Sequence, residues 1–392
     1  MPEVDYTPSP EVRRAIAGLG RTEDIRFSPN NRRLAIAEFD HNQIAVLDIE
    51  IGLHGRRPHV MLTGGVQVRS TSLKQPHGVD FIDDETIIVA SRGGNVALFR
   101  LPEGTADVHT VDRVPFEVWP VGPTNFLETP GTVSVTALER GAYEVLVCDT
   151  TAHMVSRHVM DSGVGGRVQH DVLLRKSLLI PDGAAISPDR HWIAVSNHAT
   201  HTVLMYENST TLNPDAEPVG ILRRVLAPHG LRFTSDGQHV LVADAEAPQI
   251  HVYSCERNDW RGVRNPSATV TIMDDETFRK GHSGPGQGGP KGVDIDAGSH
   301  IVAVTSHYQP LAFFHLATLL EHSTANDGSD LMADDVRFEL NVMEDQHRLA
   351  HADSLLGQLA KSNATLAYMM NSRSWRITAP LRRLDELFRR RS

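Results

Sequence analysis

Five ionisable residues stand at one recurring place in this 392-residue chain: Glu23, His77, Asp182, His229 and Lys291. Each is the middle residue of a Pro-x-Gly triplet or, for Thr22-Glu23-Asp24, of a variant. Only 22% of the chain is charged, so ionisable residues in all five readable slots are not a random draw. Converging carboxylates and imidazoles can hold a divalent metal or form an acid–base pair. A second set follows at a fixed distance: Asp40-His41, Arg92, Asp149, Asn197-His198, Asp244 and Ser306-His307. Asp and Asn just past a strand commonly accept bonds from their own loop's backbone, and Asp40, Asp149, Asn197 and Asp244 are expected to do so. His198 and His307 are expected as exposed loop residues.

These slots belong to a repeat. Related strings begin at Arg26, Pro76, Pro181, Pro228 and Pro290, with a weaker copy around Tyr143. From Asp24 to Gly292 the period averages about 54 residues over five steps, and several short strands per period mark a propeller blade. Gly78 and Gly183 stand 105 residues apart, which leaves room for one blade between them whose slot is not readable. Within each unit a strand after the triplet (Val79–Ile82, Leu231–Thr234) leads through a turn to a more apolar strand (Ile87–Ala90, Val240–Ala243). A third strand (Val96–Phe99, Ile250–Tyr253) and a variable fourth complete it. The near-continuous apolar runs of the second strand suit burial on both faces between blades. The fold class is therefore all-β: a six-bladed β-propeller of four-stranded antiparallel blades with a C-terminal helical tail. In a propeller the triplet and the loop after the second strand lie on one face, around the mouth of the central channel.

The expected organisation is a lead-in over 1–20, the propeller over 21–340, a helix with a heptad pattern over 341–371 and a basic amphipathic helix over 372–392. Alternation at Asp335–Leu340 suggests a last outer strand. Leu349, Ala352, Leu356, Leu359, Asn363, Leu366 and Met370 occupy a and d positions, a pattern for packing on the propeller or for a homo-oligomer. After them, Thr378 can cap a helix with Pro380 in its first turn and Leu381, Leu384, Leu387 and Phe388 on one face. Seven Arg against two acids from Arg373 onward give this tail +5, so the rest of the chain carries −16 of the net −11. An acidic body excludes non-specific nucleic-acid binding by the propeller. A basic amphipathic tail calls for an acidic partner or a peripheral place on an anionic membrane. Cys148 and Cys255 are too few for a disulfide framework and read as buried thiols. The N-terminus carries no apolar signal region, and the location is read as cytoplasmic, at the inner membrane face if the tail binds lipid.

The repeat resembles the YVTN- and NHL-repeat propellers, most closely in Ser196-Asn197-His198-Ala199-Thr200-His201-Thr202-Val203, and the six-bladed gluconolactonase/senescence-marker family. That family carries a metal on a Glu in blade one and on Asn or Asp at Pro-x-Gly-like positions of later blades. The resemblance implies Glu23, Asp182 and His229 as metal ligands, with His77 as acid–base and Lys291 or Arg92 orienting an anionic group. His229 stands where the family has a carboxylate, and imidazole suits Zn, Mn or Fe better than Ca. The implied activity is lactonase- or esterase-like hydrolysis of a small carbonyl or sugar-derived ligand. A glycan-binding scaffold without catalysis stays open, as does a lyase or oxidoreductase. The string Asn371–Arg382 resembles the C-terminal segment of bacterial glycosyltransferases and other surface-polysaccharide biosynthesis proteins, which implies a bacterial glycan-assembly setting. No P-loop, Gly-x-Ser-x-Gly elbow or CxxC is present. The glycine-rich Gly281–Gly292 is expected as a flexible loop over the mouth.

Overall fold

The computed structural model describes residues 3–54, 57–103, 107–122, 126–161, 168–321 and 336–342. Apart from residues 341 and 342, the two tail helices lie outside the described residues, and with them the expected homo-oligomer, membrane and acidic-partner contacts. The chain divides into two units, Met1–Arg337 and Phe338–Ser392, and everything below concerns the first.

The architecture is a closed six-bladed propeller. The first strands of the six sheets are Thr22–Phe27, Pro76–Asp83, Pro130–Ala137, Pro181–Ile186, Pro228–Phe233 and Val293–Ile295. Each lies against the next in that order, and the last against the first. Blades two, three and five have four antiparallel strands; in blade three, Val133 pairs with Val147, Val147 with Ser156 and Ser156 with Val172. Blades one and four add parallel outer strands: Tyr6–Pro8 and His109–Asp112 on Arg57–Arg69, and Gly262–Arg264 on Gly220–Leu222. Blade six has three strands. The place of a fourth is held by a single bridge from Glu3 to Phe314, where the Val4 N–H donates to Phe313 O at 2.7 Å. The lead-in therefore clasps blade six and then, through Tyr6–Pro8, blade one. Its helix Pro10–Ala17 starts on Ser9, whose hydroxyl accepts the Val12 N–H, and it buries Val12 and Ile16.

The core lies between blades. Ile87 and Val89 join the apolar cluster shared with blade one, while Ile88 and Ala90 join the one shared with blade three. Val240 and Val242 face blade four; Leu241 and Ala243 face blade six. Alternate side chains of a strand point to opposite faces, so a strand covered on both sides must be apolar throughout. Cys148 and Cys255 are buried and unpaired. Residues 336–342 are helical, which corrects the expected outer strand. Val336 and Leu340 are buried and four apart, a spacing that serves a helix face as well as alternation does. Among the described residues no helix is long and apolar enough to cross a membrane.

Candidate functional site at the channel mouth

The Pro-x-Gly triplet sits on a bulge. Strand register shifts between Pro76 and Gly78, Pro181 and Gly183, and Pro228 and Leu231, and likewise between Thr22 and Ile25. A bulge leaves one residue out of the ladder and re-aims its side chain, and here that residue is x. The following glycine is needed because the inner strands crowd each other around the axis. A Cβ on Gly183 would stand 2.3 Å from His229 O, and one on Gly230 2.5 Å from Lys291 O. The unreadable slot is also settled. Blade three begins Pro130-Gly131-Thr132 with the same register shift, so its x is Gly131, which has no side chain. The ring has five ionisable members and one gap.

The five members are all buried and meet. Lys291 Nζ donates to both oxygens of Glu23, at 2.9 and 2.8 Å. Arg21 Nε also donates to Glu23, with its guanidinium 4.3 Å from the Phe39 ring centroid. His77 Nε2 lies 3.4 Å from Glu23 Oε2 and 3.9 Å from Asp182 Oδ1. His229 Nε2 lies 3.5 Å from Glu23 Oε2 and 3.2 Å from Asp182 Oδ2. Arg92 Nη2 donates to Asp182 Oδ1 at 2.7 Å, and His198 Nδ1 stands 3.9 Å from Asp182 Oδ2.

Burial would raise both carboxyls, but the neighbouring charges outweigh it. Lys291, with His77, His229 and Arg21, holds Glu23 well below the usual carboxylate range. His229, Arg92, His77 and His198 do the same for Asp182. Burial pushes His77 well down, reinforced by Arg92, and burial also lowers His198 and Lys291. Both carboxylates are thus ionised and both of these imidazoles neutral at neutral pH.

His77 can be assigned further. Its Nδ1 lies 3.2 Å from Gly131 O. A carbonyl only accepts, so Nδ1 carries the proton and Nε2 presents a lone pair. That Nε2 is buried without a hydrogen-bond partner, between two carboxylates that can donate nothing to it. A buried lone pair left beside acidic oxygens, with the other ring nitrogen tied to a backbone carbonyl, is how a protein presents histidine to a metal. Oxygen and nitrogen atoms of Glu23, His77 and His229 lie within 4.8 Å of one another. The four carboxylate–imidazole separations, 3.2 to 3.9 Å, bracket the edge of about 3.4 Å that a tetrahedron with bonds near 2.1 Å would have. Each carboxylate oxygen has two lone pairs, so the grip of Lys291 leaves Glu23 able to accept a cation. The donor set fits a borderline transition-type divalent ion.

The structure brings all six sequence-predicted site residues together, with His77 standing among the prospective ligands and Lys291 locked onto Glu23. Two neighbours were not foreseen. Arg21 precedes the triplet and carries no repeat signal. His198, expected as an exposed loop residue, is half-buried against Asp182 instead, because Gly286 of the glycine-rich loop closes over its ring: a Cβ there would come within 2.8 Å of His198 Nε2. The loop does lie at the mouth. Asp149 and Asp244 keep the structural role expected of them, accepting the N–H groups of Glu128, Thr129 and Ala152, and of Leu226, Ala227 and Glu246. Asn197 holds Leu179 N–H and Ser177 O.

No family model matches this chain, and neither does any curated protein. Among solved structures, a candidate gluconolactonase is similar over 76% of this chain and 89% of its own, at 11% identity and a TM-score of 0.48. A candidate 6-phosphogluconolactonase from Bacteroides uniformis is similar over 78% and 83%, at 11% identity and a TM-score of 0.49. At this distance the likeness is one of propeller architecture, and the functional argument rests on the mouth itself.

Proposed function

We propose that the channel mouth is a metal-dependent hydrolytic site that opens a lactone or ester of a small, sugar-derived carbonyl compound. The observation that carries this reading is the unpartnered, buried Nε2 of His77 set between Glu23 and Asp182. Glu23, Asp182, His77 and His229 would hold the ion. When bound, a divalent ion polarises a carbonyl and makes water nucleophilic at neutral pH. The chain supplies the rest. His198, neutral and with its Nδ1 buried and unpartnered, takes a proton at that atom. Gly281–Gly292 packs against His198 and sheds water from that side. Lys291 and Arg21 keep Glu23 ionised in a buried place where it would otherwise protonate.

Metal analysis of the protein purified without chelator tests this. One equivalent of zinc, manganese or iron is expected, lost in Glu23→Gln and His229→Ala together with hydrolysis of a lactone panel followed by acid release. A protein that is metal-free as isolated, takes up none of these ions and opens no lactone overturns it. The rival, a non-catalytic ligand-binding propeller, draws support from one fact: Lys291 already neutralises Glu23 without any ion. The surface-polysaccharide setting is proposed from the segment Asn371–Arg382 alone.

A further inference from the structure

Arg92 enters the mouth from an unusual direction. Its turn is pinned to blade two: Arg92 N–H donates to Gln75 O, Gly93 N–H to Lys74 O and Gly94 N–H to Ser91 O, each at 3.0 Å. From there the guanidinium passes blade three to reach Asp182 in blade four. It can do so because the blade-three slot is Gly131. A Cβ on Gly131 would stand 3.5 Å from Asp182 Oδ1, the oxygen that Arg92 binds. The gap in the ring is filled by an arginine from the neighbouring blade.

That arginine is not spent. Nη2 serves Asp182, but Nε is buried with no hydrogen-bond partner, and the side chain keeps about a quarter of its surface open (26%). A guanidinium N–H can only donate, so its missing partner is an acceptor. The charge of the bonded cluster points the same way. Two carboxylates, Glu23 and Asp182, face three cations, Arg21, Arg92 and Lys291. Glu38, the next acid along blade one, gives its Oε2 to Gln43 and His41. A bound divalent ion would widen the excess of positive charge.

We propose that the ligand of this mouth carries an oxyanion of its own, a carboxylate or a phosphate, seated on Arg92 in the gap left by Gly131. The proposal deepens the hydrolytic reading, which fixes the rest of the ligand, but its anion seat is present without a metal. A planar guanidinium with two N–H groups turned one way matches either oxyanion, and charge-assisted pairs of this kind are the stronger ones.

The test is calorimetric titration of the full-length protein, chelator-treated and metal-reloaded, with inorganic phosphate and with D-glucuronate. Metal content is measured on the same samples. Binding of one of the two to the metal-free protein is expected, weakened about tenfold in Arg92→Gln and partly kept in Arg92→Lys, which retains the charge but not the fork. Metal content should be the same in both variants. The tighter of the two ligands identifies the group. Absence of binding by both, or equal binding by Arg92→Gln, overturns the anion seat. So does loss of metal in both variants, which would make Arg92 a support for Asp182. A metal-free wild type that still binds the oxyanion through Arg92 would sink the hydrolytic reading and leave this one standing.

Discussion

The innermost strands carry charge at two levels, and the two behave oppositely. At the mouth stand Glu23, His77, Asp182, His229 and Lys291. Three residues further along the same strands stand Arg26, Asp80, Arg232 and Asp294, with Asp24 beside them. At this lower level Arg26 Nη1 donates to Asp24 Oδ1 at 2.5 Å, its Nε lies 3.9 Å from Asp80 Oδ2, and Arg232 Nε donates to Asp294 Oδ1 at 2.8 Å. The carboxylates also stitch blade to blade. Asp24 accepts the Val79 N–H, Asp80 the Val135 N–H and Asp294 the Phe27 N–H, at 3.2, 2.8 and 2.8 Å. Here burial wins: it raises Asp24 and Asp294 to about 6 and Asp80 to about 7, with Arg26 and the N–H groups offsetting only part. At the mouth the partners win, and Glu23 and Asp182 are held down. The lower ring spends its carboxylates on backbone of the next blade. The mouth spends nothing on neighbouring strands and leaves imidazole and guanidinium atoms without partners. Buried charge that is used up is scaffold; buried charge with capacity left over is a site.

The sharpest way to break this contrast is Arg26→Ala. Removing the cation leaves Asp24, Asp80 and Asp294 buried around nothing. Breaking a buried ion cluster from one side costs about 3–5 kcal/mol. Chemical denaturation should show a loss of that size, with the metal content of the folded fraction unchanged. A loss under about 1 kcal/mol would mean the lower ring is not what joins the blades.

The second test is pH. An acid whose folded value is raised binds a proton in the folded state that the unfolded chain has released, so stability falls as pH rises. For the lower ring this window runs from the ordinary carboxyl value of 3.8 to about 7. For Glu23 and Asp182 the sign is reversed: their contribution is complete above the ordinary carboxyl range and is lost as pH falls below it. Stability should therefore peak near the lower edge of the first window. Each raised group contributes a slope of at most about 1.4 kcal/mol per pH unit within it. Asp80→Asn keeps an oxygen for the Val135 N–H and removes the titration, so the decline between pH 4 and 7 should become shallower. An unchanged profile would show that Asp80 does not titrate there.

How much of this could be read beforehand follows from the same contrast. The mouth was legible because Pro-x-Gly fixes its register: proline opens the strand, glycine permits the close approach, and x is what remains. Gly131 was not, since Pro130-Gly131-Thr132 puts glycine in the variable slot and threonine in the constant one. Arg26, Asp80 and Asp294 alternate with Ile25, Val79 and Val293, so by pattern they read as a solvent face. Only alignment of the repeats by position would have shown charges gathered at one depth. Arg21 and the Glu3–Phe314 clasp depend on closure of the ring, where residues hundreds of positions apart meet, as when the Thr22 hydroxyl donates to Ser306 O. His198 was misjudged as exposed because its burial comes from Gly286, in a distant blade.

The smallest stability effect should come from His77→Ala, although the residue is fully buried. Its Nε2 makes no hydrogen bond, and its Nδ1–H satisfies one carbonyl, that of Gly131. Losing one such bond costs about 1 kcal/mol in the metal-free protein. The neutral imidazole carries no charge whose removal would unbalance Glu23 and Asp182 in the way that loss of Arg26 unbalances the lower ring. Metal content should nonetheless fall far below one equivalent, and with it the stabilisation that ligand binding gives the wild type. Melting with and without chelator separates these effects: a chelator-sensitive wild type, an insensitive variant, and metal-free midpoints within a few degrees of each other. If His77→Ala instead melted as early as Arg26→Ala without any ion present, His77 would belong with the scaffold, and its unpaired nitrogen would not mark a binding site.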